Sequence, residues 1–237
     1  MGHYVVRAVD SGNIQRSPTF QAVFSYMFSK SADLPFKIIF DSGGIDVDNI
    51  MSNCTPATKK LNIIDAGLYY DVIHGENKSI AFDLVSKWHG NGDDKIPEKE
   101  KIIITRVYSE IKTEVHTVQM KNRNAALIEA GIPEKFLPGM RIPFKHEKSL
   151  MLVLPVEKSV GQKVQDYYKN LKNTTLNKNM KMPIIMIYGD LAGVEPLKDE
   201  LKGGLDTARK QVKYFMDTRH KAIKEITKIL SNAITVR

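Results

Sequence analysis

The chain holds a single cysteine, Cys54, in 237 residues. That excludes an intramolecular disulfide and any cysteine cluster around a metal, and it points to a reducing, intracellular setting. Long apolar runs are missing too. No stretch approaches the roughly 20 residues that cross a bilayer, and the opening "MGHYVVRAVD" has neither the basic segment nor the apolar run of a signal peptide. A cytoplasmic protein without membrane contact is expected. Also absent is an arginine-rich or aromatic-interleaved basic strip. The formal net charge is +8, yet the basic residues are spread through segments such as "ARKQVKYFMDTRHKAIKEITK" and mixed with acids, as on a solvated helix face. Charge alone therefore does not require a nucleic-acid partner. The histidines, His3, His74, His89, His116, His146 and His220, form no pair at metal-ligand spacing, so neither a metal nor a cofactor is expected.

What is present is ordinary globular material, 42% hydrophobic and 26% charged, enough for one large domain or a domain with a sizeable insertion. A short β-branched run bounded by a polar turn predicts a first strand over His3 to Val9. Ser17 and Pro18 mark a helix start, because serine caps free N–H groups and proline fits the first turn. Phe20, Val23, Phe24, Met27 and Phe28 then fall on one helical face. "FKIIFDSGG" predicts a second strand over Phe36 to Phe40 that ends in a small turn at Ser42, Gly43 and Gly44. Together these make a right-handed βαβ unit in a parallel sheet.

From residue 45 to 148 the pattern changes. "TKKLNIIDAGLYYDVI", "KSIAFDLVSKW" and "EKEKIIITRVYSEIKTEVHTVQMKNRNAALIEAGI" carry helical periodicity with few strand signals, and "GNGDDKIPEKE" reads as a mobile loop. Strand and helix then alternate again. "SLMLVLPV" is a third strand, "EKSVGQKVQDYYKNL" a helix and "MPIIMIYG" a fourth strand. A long helical tail runs from Glu195 to Ala233, broken near its start by Gly203 and Gly204. The expectation is an α/β fold: a four-stranded parallel sheet with flanking helices, built from 1–44 and 149–237. A mostly helical insertion, 45–148, separates strands two and three. Loops at the carboxyl ends of the strands should build any site: Asp10 to Ser17, Asp41 to Gly44, Pro155 to Lys158 and Gly189 to Pro196.

The most informative of these loops is "DSGNIQRSP". Its anion-binding frame would comprise Ser11, Gly12, Asn13, Ile14, Gln15, Arg16 and Ser17. Successive backbone N–H groups can curl into a nest there, while Arg16 folds back to grip two oxygens of a phosphate-like ligand. Gly12 would allow a positive φ, Asn13 suits a left-handed conformation, and the Ser17 hydroxyl would lie beneath the loop head. The stretch resembles the phosphate loop of the low-molecular-weight protein tyrosine phosphatases and related arsenate reductases. That loop follows the first strand as Cys, five residues, Arg and Ser, with Gly-Asn inside and Pro after. Gly12, Asn13, Ile14, Arg16, Ser17 and Pro18 match, and "FDSGG" is similar to the family's "DSAG" after the second strand. The resemblance covers about residues 3–44 and 149–233. It implies a phosphatase-like fold and, as ligand, a small oxyanion or phosphorylated molecule.

The departure falls on the position that carries the chemistry. In the family the loop head is a thiolate nucleophile that forms a phosphocysteine intermediate; here it is Asp10. A carboxylate beside a bound anion costs on the order of several kcal/mol at low dielectric, so cysteine-dependent phosphatase activity is not expected. Asp10 would be protonated, or paired with Arg16, or the loop would hold no free dianion. The resemblance also implies a general acid after the fourth strand, commonly before proline. "YGDLAGVEP" offers Asp190, of the right type, and Glu195, in the right proline context, with Asp190 preferred. Asp41 and Ser42 would support the loop from the second strand.

Three readings follow. The leading one is a pseudophosphatase, a non-catalytic anion-binding or regulatory module whose helical insertion meets a protein partner. The second is a phosphohydrolase or transferase in which Asp10 acts as base or nucleophile and Arg16 holds an anionic substrate. The third is a nucleic-acid-associated basic protein. Against all three stands a plain structural role, with the Gly-Asn turn only joining strand to helix and Arg16 bridging to Asp10 or Asp41. "FLPGMRIPF", residues 136–144, reads as a packed connection rather than a lid. Cys54 reads as structural, and Tyr69, Tyr70, Tyr167 and Tyr168 as core aromatics.

Overall fold

β1 (His3–Asp10) is buried along most of its length, and its side chains divide between two apolar layers by simple alternation. Val6 and Ala8 face one layer, Val5 and Val9 the other. Burial on both faces is what a central parallel strand requires. β1 lies between β2 (Lys37–Gly44) and β3 (Leu150–Pro155), with β4 (Ile184–Ile185) outside β3, and every pairing is parallel. The expected four-stranded parallel sheet with flanking helices is thus the observed architecture. The computed structural model describes residues 3–30, 36–47, 87, 97–100, 117, 119–139, 142–173, 180–197 and 204–235.

Two strand ends differ from expectation. Ser42, Gly43 and Gly44 are not a turn; they continue β2 and pair with Ala8, Val9 and Asp10. Their small side chains allow it, since a Cβ on Gly43 would lie 3.3 Å from the Phe144 backbone. β4 has only two residues, because the chain turns at Tyr188 into a short helix.

α1 (Arg16–Ser29) buries Phe20, Val23 and Phe24 against the sheet. Phe20 stacks on Phe24 with ring centroids 4.2 Å apart and meets Phe40 of β2 edge-on. Each such side chain contributes about 1.5–3 kcal/mol by leaving water. A helical stretch over 119–129, α2, adds Ala126 and Leu127 to the same core, and Ile132 follows. α3 (Lys158–Asn173) covers the opposite layer with Val160, Val164 and Tyr168. α4 (Tyr188–Ala192) ends at Gly193, whose φ of 66° provides the left-handed C-cap. α5 (Leu205–Thr235) returns to the first layer through Ala208, Val212, Phe215, Ala222, Ile226 and Leu230. It begins just after Gly204, and the described residues 195–197 are not helical.

The chain divides into two compact units, Met1–Val47 with Asn122–Arg237, and Asp48–Lys121. Residues 122–148, assigned from sequence to the insertion, belong to the first unit: Leu127, Ile132 and Phe144 are core residues there. Within 136–144, Pro138 and Phe144 are buried, while Gly139 and Ile142 are exposed. Of the proposed mobile loop 90–100, residues 98–100 are helical. Most of the segment 48–121, with Cys54, Tyr69, Tyr70, His74, His89 and His116, lies outside the described residues. No helix among the described residues is long and apolar enough to cross a membrane.

Candidate functional site

β1 delivers Asp10 to the sheet's carboxyl edge, and the Asp10 side chain turns back into its own loop. One carboxylate oxygen accepts the backbone N–H of Asn13, and the other accepts that of Ser17 at 3.1 Å. The Ser17 N–H belongs to the first turn of α1, where backbone donors lack helical partners. Asp10 therefore provides from within the chain the acceptor that a bound anion would otherwise supply to these donors. It is 3% exposed. Burial pushes its pKa above the ordinary carboxylate range; the Arg16 charge, the two N–H groups and the Ser17 hydroxyl oppose that shift without cancelling it.

Asn13 adopts the left-handed conformation expected of it, at φ 50°. Its side-chain oxygen accepts the Ser17 hydroxyl at 3.0 Å, and its amide donates to the Ile142 carbonyl at 3.4 Å. Gly12 does not share the reversal: the described glycines with positive φ are Gly131 and Gly193. Asn13 takes up that turn because its amide is bonded on both sides. Ser17 is not the helix cap either. α1 begins one residue earlier, after Gln15, which makes no side-chain cap, and the Asp10 carboxylate serves that end.

Arg16 is buried, and its Nη1 donates to the Glu157 carboxylate at 2.9 Å and to the Leu197 carbonyl at 3.2 Å. It thus ties the segment after β3 to the segment beyond α4. Its charge is felt at Asp10, but among the described residues the carboxylate hydrogen-bonded to it is that of Glu157, rather than Asp10 or Asp41 as in the plain structural reading. Burial alone would raise the Glu157 pKa; the Arg16 bond and charge, the Ser159 hydroxyl and Lys163 outweigh it and hold the carboxyl below its usual range. Glu157 lies in the candidate stretch Pro155 to Lys158 but was not singled out, because an acid opening a helix has an ordinary explanation.

The loop has a second buried arginine that the sequence reading missed. Arg123 of α2 is fully buried, and its guanidinium donates to the Ile14 carbonyl at 2.7 Å, the Pro138 carbonyl at 2.9 Å and the Asn124 side chain at 2.8 Å. Burial brings it down to about 10, while the Asp10 charge favours its protonated form. The available signal was spacing: Arg123 falls three residues after Met120 and four before Leu127, on the apolar stripe of α2.

The remaining candidates bond to other partners. Asp41 pairs across the sheet with Arg7, accepting from its Nε at 3.1 Å and from its Nη2. Arg7 also reaches the Lys145 carbonyl at 2.5 Å and Glu147 at 2.6 Å. Gly44 is the residue opposite Asp10, so Asp41 lies three positions, about 10 Å, down the strand. Ser42 is buried and donates its hydroxyl to Gln21 of α1 at 2.6 Å. Asp190 is exposed in α4, and Glu195 is exposed with its carbonyl accepting the Tyr214 hydroxyl at 2.9 Å. His146 faces the Tyr168 hydroxyl at 3.3 Å, and Tyr167 and Tyr168 pack in the second core as expected. Among the described residues no three His, Cys, Asp or Glu side chains are grouped to hold a metal.

Chemically, each oxygen of Asp10 already accepts an N–H, and Arg16 already has a carboxylate. An incoming oxyanion would have to displace both.

No protein family matches the sequence, and no curated protein matches it. Among solved structures the chain is similar to a YwlE mutant from Bacillus subtilis, at 12% identity over 96% of this chain and 99% of that one, with a TM-score of 0.49. It is similar to a low molecular weight protein tyrosine phosphatase from Bacillus subtilis, at 13% identity over 94% and 97% of the two chains, again with a TM-score of 0.49. A structure of YwlE arginine phosphatase gives 12% identity, 96% and 95% coverage, and a TM-score of 0.48.

Proposed function

We propose that this protein is a non-catalytic, phosphatase-like module of regulatory type. Its oxyanion loop has been turned into a structural anchor, and the segment between β2 and α2 meets a protein partner. The observation that carries this reading is the Asp10 carboxylate bonded to the Asn13 and Ser17 N–H groups of its own loop. An anion built into the chain at that place needs no ligand to satisfy the donors. The second support is Arg16, which grips Glu157 instead of presenting an open fork.

A nucleophilic Asp10 would need a free oxygen aimed at the substrate and a cation to offset the phosphate charge; both of its oxygens are engaged. A nucleic-acid role gains no support from α5, where Arg209 pairs with Glu129 and Asp206, and Lys213 with Asp217.

The test is turnover of an aryl phosphate by the purified protein beside Asp10→Asn and Asp10→Cys. The wild type and Asp10→Asn should both be inactive. Robust wild-type turnover that Asp10→Asn abolishes would replace this reading with an aspartate-dependent hydrolase.

A further inference from the structure

The chain leaves its first compact unit after Val47 and re-enters it at Asn122, and residues beside both points are bonded to the same loop. On the way out, the Ile45 N–H donates to the Asp10 carbonyl at 3.0 Å and the Asp46 N–H to the Ser11 carbonyl at 2.9 Å. Lys163 of α3 holds the Asp46 carboxylate. On the way back, Arg123 donates to the Ile14 carbonyl at 2.7 Å. Gly44 closes the contact from the sheet side, where an added Cβ would lie 2.8 Å from the Asn13 nitrogen and 2.9 Å from the Gly12 carbonyl carbon. Asp10 takes part twice: its carbonyl holds the departing chain, and its carboxylate holds the loop that the returning chain grips.

We infer that the Asp10 loop is a clamp on the base of segment 48–121, coupling the points where that segment departs and rejoins. Asp10 keeps the loop in one conformation, and that conformation presents the Asp10, Ser11 and Ile14 carbonyls to the two ends together. Whatever draws the Asp10 carboxylate off Asn13 and Ser17 loosens both ends at once, and a pull on either end strains the loop. The inference deepens the proposed function, since it supplies the link between the disused site and the segment assigned to the partner; its test needs no partner.

Hydrogen exchange read by NMR or by mass spectrometry on the full-length chain decides it. In Asp10→Asn, exchange should rise by roughly tenfold or more at Ile45 and Asp46 as well as at Asn13 and Ser17. Val153 and Leu154 of β3 should stay protected, which excludes general unfolding. Arg123→Lys approaches from the other end and should speed Ile45 and Asp46 in the same way, serving as the reading if Asp10→Asn does not fold. Faster exchange confined to Asn13 and Ser17, or to α2 alone in Arg123→Lys, would overturn the clamp. Phosphatase turnover by the wild type would overturn the proposed function and leave this coupling intact; uncoupled exchange in an inactive protein would do the reverse.

Discussion

Asp10 and Ser17 are joined side chain to backbone across the loop, the carboxylate accepting the Ser17 N–H at 3.1 Å. A hydrogen bond to a charged group of this kind contributes about 1.5–3 kcal/mol. The Asn13 N–H takes the other oxygen, so the carboxylate is held at two points before Arg16 and Arg123 add their charge. A phosphate entering the loop would have to displace these bonds and then tolerate a buried carboxylate beside it.

Glu157 should matter for stability in a pH-dependent way. Its native pKa lies below the ordinary value of 4.5, so the stability it contributes is present above that value and lost as pH falls through the native one. Glu157→Gln should cost roughly 1–2 kcal/mol at neutral pH, because buried Arg16 loses the charged acceptor that Glu157 provides. Denaturant melts of the two proteins should converge in acid. A difference that stays constant down to pH 3 would contradict the pairing.

Asp10 carries the opposite sign. Its native pKa lies above the ordinary 3.8, so the proton-linked part of its stability is present below that value and lost as pH rises through the native one. The stability of the wild type relative to Asp10→Asn should decline as pH rises from acid. Denaturant melts over a pH series measure that slope, and a flat difference would show that burial does not control the carboxyl.

Gly44→Ala should destabilise by about 1–3 kcal/mol through overpacking. Its Cβ would approach the Gly12–Asn13 peptide bond and the Val47 side chain below 3.0 Å, and the peptide backbone leaves little room to yield. Gly204→Ala has nothing within 4 Å and should be close to neutral. Thermal melts of the pair distinguish crowding from a general intolerance of alanine.

Much of the fold was legible in the sequence because it rests on local patterns. The apolar run "VVRAV" and the helical spacing of Phe20, Val23 and Phe24 reflect a strand buried on two faces and a helix buried on one. The loop was legible because Asn13 and Arg16 sit at a strand-to-helix junction. What stayed hidden depends on partners distant in the chain. The glycines of "DSGG" read as a turn, although pairing with β1 makes them strand. Arg123 looked like any basic helix residue until burial placed it under Ile14, and Glu157 gains its meaning only from Arg16, 141 residues away. The core that Leu127 and Ile132 join was hidden for the same reason: their helical spacing does not show it.

The most direct test of the closed loop is calorimetric titration of inorganic phosphate into the wild type and into Asp10→Ala. With the internal carboxylate in place the wild type should show no saturable binding, and Asp10→Ala, with the Asn13 and Ser17 N–H groups released, should acquire it. Saturable phosphate binding by the wild type that Asp10→Ala fails to strengthen would contradict the claim that Asp10 occupies the site.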